Sequence, residues 1–183
     1  MADQLTKKKF LLDEEVSRLE ETLKSNYKKK PRDCLLIELL LKTGCRASEL
    51  LALKKQDMYN KSRSIHITGL KGSDGREMYL HNFLYDRLKK YAASVDGEYI
   101  FSIKIRRLQG IWYKFRPCAK RIHCLRHTFA IIVYRETKDI QLVQQALGHR
   151  SIVNTMIYSQ YFYSQDEFRK IPNINFFKPS KGA

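Results

Sequence analysis

R-I-H-C-L-R-H-T-F-A at residues 121–130 opens the stretch that decides the fold; L-G-H-R follows at 147–150 and N-T-M-I-Y at 154–158. Leu125, Phe129, Ile132 and Val133 recur at helical spacing, which predicts a helix over 125–136 with one buried stripe. Asp139 is placed to cap a second helix whose apolar face is Leu142, Val143, Ala146 and Leu147. Gly148 falls where a helix ends in a left-handed turn, and that turn would hold His149 in a fixed place. Ser151 is placed to cap a third helix, with Ile152, Met156 and Ile157 packing inward and Tyr158 near its end. His123, Arg126, His127, His149 and Tyr158 would then stand at helix starts and turns, held by packed helices.

Arginine, histidine and a tyrosine hydroxyl together suit a phosphodiester. Arginine grips phosphate oxygens through a planar fork of donors. Histidine moves protons near neutral pH. Tyrosine serves as an oxygen nucleophile. The spacing of His123 and His127 also matches zinc-binding helices, but no glutamate follows His123 and no third ligand stands at good spacing. No metal and no cofactor are expected.

Upstream, residues 33–43 are apolar nearly all round, as in a core helix, and Pro31 suits its start. Thr43-Gly44 ends it, and Arg46 opens a short helix over about 46–52. A helix N-terminus is its positive end, so a cation there is poorly placed unless it meets an anion. Glu49, three residues on, is positioned to hold Arg46. Residues 64–68 and 76–80 alternate as a hairpin, with Gly69, Gly72 and Asp74-Gly75 in its turn and Lys71 as its one lysine. Residues 82–93 follow as an amphipathic helix with Phe83, Leu84, Leu88, Tyr91 and Ala92 inward. Tyr99-Ile100-Phe101 is a short strand or turn, and 104–116 is a further helix ended by Pro117. The fold class is α+β, mainly helical, with a hairpin or three-stranded antiparallel sheet at one edge.

The 183 residues carry 35 basic and 19 acidic side chains, a formal charge of +16. So large an excess on one domain points to a polyanionic partner. Lys104, Arg106, Arg107, Lys114, Arg116, Lys120 and Arg121 crowd one stretch that holds no acid, with Trp112, Tyr113 and Phe115 interleaved. That mixture suits the backbone of double-stranded DNA. The four cysteines form no C-x-x-C pair, and Cys34, Cys45 and Cys124, within helical or motif patterns, read as buried free thiols. No signal peptide and no apolar run of membrane-spanning length stand out, so a cytoplasmic setting is the default.

At the N-terminus, residues 1–9 read as a loose basic leader. Asp13 is placed to cap a helix whose buried side is Val16, Leu19 and Leu23. The domain proper is expected over 10–163. An aromatic tail over 164–183 would pack at home or dock on a neighbouring subunit.

Three strings in order carry a resemblance. T-G-C-R-A-S-E-L at 43–50, H-C-L-R-H-T-F-A at 123–130, and L-G-H at 147–149 with Tyr158 nine residues after His149 resemble the boxes of the tyrosine recombinase (phage integrase) family, catalytic domain. The resemblance implies DNA cleavage and rejoining through a covalent 3′-phosphotyrosine, without metal or ATP. It assigns Tyr158 as nucleophile, Arg46 and Arg126 as the phosphate clamp, and His123 and His149 as further hydrogen-bond donors. His123 is the expected acceptor of the phenolic proton and Lys71 the expected acid for the leaving 5′ oxygen. Glu49 and His127 are supporting residues. Family members usually carry an N-terminal DNA-binding domain; with a helix predicted from about residue 13, the expectation is that this domain is absent here, whether in a catalytic fragment or in a natural minimal protein. They act as oligomers on DNA, here expected to be a homo-tetramer, with a partner recombinase or an accessory DNA-binding protein as a further candidate partner, and commonly exchange a C-terminal segment between protomers. The rival readings are a DNA-binding or regulatory module that no longer cuts, a type IB topoisomerase-like relaxing activity, and, third, a metal-dependent nuclease.

Overall fold

The structure is a computed structural model that describes residues 5–70 and 72–161. Seven α-helices and one small sheet follow in chain order among these residues: α1 Asp13–Asn26, α2 Pro31–Thr43, α3 Ala47–Leu51, β1 Met58–Tyr59, β2 Ser64–Ile67, β3 Arg76–Tyr79, α4 Asn82–Ala93, α5 Ile105–Phe115, α6 Cys124–Thr137 and α7 Ile140–Leu147. The antiparallel sheet has the order β1-β2-β3, with Ile65 opposite Met58 on one side and Met78 on the other. A mainly helical domain with a small edge sheet was the expectation, and the structure bears it out.

Helix α2 is the axis. Cys34, Leu35, Leu36, Ile37, Leu39, Leu40 and Leu41 are all buried, because α1, α4, α5 and α6 pack around it. Pro31 occupies its first turn, where the missing N–H costs nothing. A second apolar cluster lies between α6 and α7: Phe129, Ala130, Ile131, Tyr134, Val143 and Leu147, together with Tyr158. Leu5 and Phe10, from the basic N-terminal stretch, are buried in the same cluster, and the Leu11 N–H donates to Thr128 Oγ1 at 2.8 Å.

Several expectations need correction. Asp13 is the first residue of α1, not its cap; Leu12 holds that position, and its N–H is taken by the Glu15 carboxylate at 2.7 Å. Phe83, Ile132, Leu142 and Met156 were expected inward and are exposed. Helix α6 is covered on two sides, so its buried arc is wide and Ile132 is left facing out. Helix α7 turns Val143 and Leu147 to the core, which leaves Leu142 on its flank. The expected third helix after Ser151 is instead two short 3-10 turns, Ile152–Asn154 and Met156–Tyr161. Ser151 does cap the first of them, accepting from the Val153 N–H at 3.3 Å. Asp139 caps α7 as expected, accepting from the N–H groups of Gln141 and Leu142.

Candidate active site

Three helix ends meet at one place, and Arg126 occupies it. The residue is 3% exposed and lies in the first turn of α6. Nη1 donates to the Gly44 carbonyl at 2.8 Å and Nη2 to the Leu147 carbonyl at 2.9 Å. These carbonyls belong to the C-terminal ends of α2 and α7, which carry the negative end of each helix dipole and lack helical partners. One cation thus satisfies two helix ends far apart in sequence. Burial, then the charges of Arg46 and Arg76, lower its pKa to about 10, so it stays charged at neutral pH.

Both helix ends need glycine. Gly44 adopts φ 60°, and a Cβ there would lie 2.2 Å from the Phe129 ring. Gly148 adopts φ 67°, and a Cβ would lie 2.6 Å from the Asp74 carbonyl. The left-handed turns bring Arg46 and His149 out of their helices beside Arg126.

Arg46 is the N-cap of α3, and its side chain is partly exposed. Glu49, which water does not reach, binds it twice: Oε2 accepts the Arg46 N–H and Oε1 accepts Nη1, both at 2.9 Å. Glu49 also accepts Ser73 Oγ at 2.6 Å and Arg76 Nη2 at 3.1 Å. Burial raises a carboxyl pKa, but the Ser73 and Arg46 hydrogen bonds and the Arg76 charge outweigh it and hold Glu49 at about 2. Arg76, at the start of β3, donates Nε to the Ala146 carbonyl at 2.6 Å. Its Nη1 is buried without a hydrogen-bond partner among the described residues. Glu49 and Arg76 therefore tie the Arg46 turn to the sheet and to the end of α7.

The same hairpin loop is fastened to the histidine turn. The Asp74 N–H donates to the Gly148 carbonyl at 3.0 Å, Ser73 bridges to His149, and Arg150 Nε pairs with Asp74 Oδ1 at 2.9 Å. His149 Nδ1 lies 2.9 Å from Thr155 Oγ1. Burial, followed by the charges of Arg126 and Arg46, lowers its pKa to about 4. Lys71 lies outside the described residues.

His123 is exposed at the start of α6, edge-on to His127 with ring centroids 4.8 Å apart. The surrounding protein, then Arg126 and Arg46, lower its pKa. His127 meets the phenol: its Nδ1 lies 3.0 Å from the Tyr158 hydroxyl. Its pKa falls to about 4 through burial and then through neighbouring His123 and Arg126. Tyr158 is 1% exposed, and burial pushes its pKa up to about 12 against the pull of Arg126 and Arg46. The site thus brings Arg46, Arg126, His123, His149, His127 and Tyr158 together.

The basic stretch is less uniform than its sequence. Lys104, Arg106, Arg107, Lys114 and Arg121 are exposed, and Arg116 stacks 4.4 Å from the Tyr113 ring. Lys120 is mostly buried in an ion pair with Glu15, which removes it from the free basic face. Helix α5, which carries Arg106, Arg107 and Lys114, packs on α3, the helix that Arg46 caps. Ser73, Arg76 and Thr155 are residues that pattern reasoning missed. Arg76 gave no local signal: it is the one buried residue of β3, whose neighbours Glu77 and Tyr79 are exposed. Among the described residues no three His, Cys, Asp or Glu side chains cluster as metal ligands, and the four cysteines are free thiols.

A buried arginine joining the ends of two helices, a second arginine braced by an acid, and a tyrosine beside a histidine pair thus form one site. Residues 9–165 match the model of the phage integrase family, and the chain belongs to that family. It is 32% identical over 166 residues to tyrosine recombinase XerA of Thermococcus kodakarensis, a match covering 83% of this chain and 58% of XerA. It also resembles the XerH site-specific recombinase bound to its difH substrate, with TM-score 0.72 and 26% identity, over 95% of this chain and 56% of that one. The catalytic domain of bacteriophage HP1 integrase shares the fold, with TM-score 0.65 and 22% identity, over 91% of this chain and 94% of that domain. The chain spans a little under three fifths of the length of XerA. No helix among the described residues is long and apolar enough to cross a membrane.

Proposed function

We propose that this chain cleaves and rejoins duplex DNA through a 3′-phosphotyrosine on Tyr158, in site-specific recombination or integration. The observation that carries the reading is Arg126, lodged between the Gly44 and Leu147 carbonyls, which draws the Arg46 and His149 turns onto one locus. Arg46 and Arg126 clamp the non-bridging oxygens, where negative charge gathers as the reaction proceeds. His123 and His149 add donors to the same oxygens. The phenolic oxygen forms a bond to phosphorus, the bond to the 5′ oxygen breaks, and that oxygen takes a proton from an acid, for which Lys71 is the candidate. The ester keeps the free energy of the broken bond, so a second 5′ hydroxyl reverses the step without ATP.

Tyr158 is buried here, so reaction requires the Met156–Tyr161 turn to shift toward the docked duplex. That turn is a short 3-10 segment, far easier to move than a long helix. Exposed cations of α5 and Arg121 grip the DNA backbone. XerH was solved on its DNA substrate; this chain is proposed to act likewise on DNA, as a tetramer and in the cytoplasm. The tail over 164–183, outside the described residues, is proposed to dock on a neighbouring protomer.

The test is covalent trapping on a pool of nicked duplexes randomised around the nick. A denaturation-resistant adduct forms with the wild type and is lost in Tyr158→Phe. Binding without an adduct supports a non-cutting module, and loss of cleavage on chelation supports a metal nuclease. Relaxation of supercoiled plasmid with no sequence preference supports a topoisomerase. Binding falls with salt by about 0.9 in log K per log salt for each phosphate neutralised.

A further inference from the structure

We infer that the Thr155 hydroxyl is a positioning group for His149. It donates to Nδ1, which fixes the ring and keeps the ring's own proton on Nε2, ready for a phosphate oxygen. This rests on the strand-breaking reading above, in which His149 is a donor to the phosphate. Thr155 Oγ1 lies 2.9 Å from His149 Nδ1 and has no other hydrogen-bond partner among the described residues. The His149 backbone is held by Gln144, whose carbonyl accepts the N–H at 3.0 Å and whose Nε2 donates to the carbonyl at 2.9 Å. Those bonds leave the side-chain torsions free. Among the described residues, the contact with Thr155 is the one hydrogen bond that sets the ring. His149 Nε2 has no protein partner there and is not sealed from solvent.

The charge of the ring makes its tautomer matter. Burial, then Arg126, Arg46 and Arg76 against the single carboxylate of Glu49, keep His149 neutral near neutral pH. A neutral imidazole has one N–H. Were that proton on Nδ1, Nε2 would turn a lone pair toward an anion. A hydroxyl can donate or accept, so Thr155 can hold the useful form by donating. The donor is then aimed before DNA arrives, which is where such a group gains its strength. Thr155 is also placed to keep this alignment while the nucleophile moves. It is fully buried, its N–H donates to the Ile152 carbonyl at 2.7 Å, and it precedes the Met156–Tyr161 turn that must shift. The Tyr158 N–H donates to its carbonyl at 3.0 Å. Release of the turn breaks that backbone bond and leaves the hydroxyl on His149.

The experiment measures the rate of covalent adduct formation on the same pool of nicked duplexes for wild type, Thr155→Val, Thr155→Ser, His149→Ala and the double variant His149→Ala/Thr155→Val. Valine keeps the shape of threonine without the hydroxyl, and serine keeps the hydroxyl. Retention on duplex DNA and the thermal transition check that each variant is folded. Thr155→Val should be slower by about 10- to 100-fold, part of the roughly 10²–10³-fold that a full transition-state donor contributes. Thr155→Ser should recover most of the rate. Once His149 is replaced, adding Thr155→Val should change nothing further, because residues that act through one another do not add. Nitrogen-15 spectra of histidine-labelled protein, with His149 assigned by its loss in His149→Ala, should show the proton on Nε2 in wild type and a mixture of tautomers in Thr155→Val. A wild-type rate in Thr155→Val overturns the proposal. So does a serine variant as slow as the valine one, or an undiminished effect of Thr155→Val without His149, since either makes the threonine a packing residue. A proton on Nδ1 of wild-type His149 overturns it whether or not strands are broken. Absence of any adduct from the wild type overturns the strand-breaking reading instead, and the spectra still decide the tautomer.

Discussion

The two arginines and the tyrosine are held by different physics. Around Arg46 and Arg126 every anchor is a charged or helix-end hydrogen bond: Glu49 with four donors, Arg76 on the Ala146 carbonyl, Arg126 on two helix termini. Around Tyr158 the hydroxyl has one ring nitrogen, and the rest is apolar packing against Leu5, Phe10, Val143 and Leu147. Charge-assisted bonds fix direction, and apolar contact fixes only proximity. Arg46 and Arg126, the proposed phosphate clamp, are therefore held in fixed directions, while Tyr158, the proposed nucleophile, can leave its place without breaking an ionic network.

The contrast can be broken most severely at Arg126. In Arg126→Ala the strand-cleavage rate should fall by at least about 10²–10³-fold, the loss expected when a transition-state donor set goes. Adduct formation measures this. If the rate holds, the arginine side is a structural brace alone.

Glu49→Ala comes next, read as stability. It leaves Arg76 buried without its anion and should cost about 3–5 kcal/mol in chemical denaturation. A cost below 1 kcal/mol would mean that the ionic network is no firmer than the apolar side.

The pH dependence separates the carboxylate from the imidazoles by window, since both lose stability on acidification. Glu49 is depressed to about 2, so its stabilisation, on the order of 3 kcal/mol, is present above pH 4.5 and is lost as pH falls toward 2. His127 and His149 are depressed from 6.5 to about 4, so the unfolded chain binds their protons first. Stability should therefore drop as pH falls from 6.5 to 4, by about 2 kcal/mol for each ring after allowance for its contact with water. Denaturation midpoints across pH 3–7 check both windows, and His127→Gln should flatten the upper one.

The smallest effect belongs to the outer apolar surface. Leu142→Ser, at an exposed flank of α7, should change stability by less than about 0.5 kcal/mol. A larger loss would show that this flank is covered in the protein as it exists in solution.

The legible parts of the sequence were those governed by short-range rules. The apolar run of α2, the Asp139 cap, the left-handed Gly148 turn and the hairpin alternation each follow from a few adjacent residues. Periodicity misplaced Ile132 and Leu142, because an apolar residue marks a possible buried face and the neighbouring elements decide which faces are covered. It also drew a helix through Tyr158 where the chain makes two short 3-10 turns. The three boxes named most of the site residues. They did not name Arg76 or Ser73, whose roles come from partners 27 and 24 residues away at Glu49.

By itself the sequence determined which side chains can do the chemistry and where local structure begins and ends, because caps, turns and propensities act within a few residues. Only the tertiary structure decided that Arg126 satisfies two foreign helix ends and that the phenol faces His127 rather than His123. Those outcomes depend on long-range packing and on the cost of burying an unpaired charge, and no local pattern encodes either.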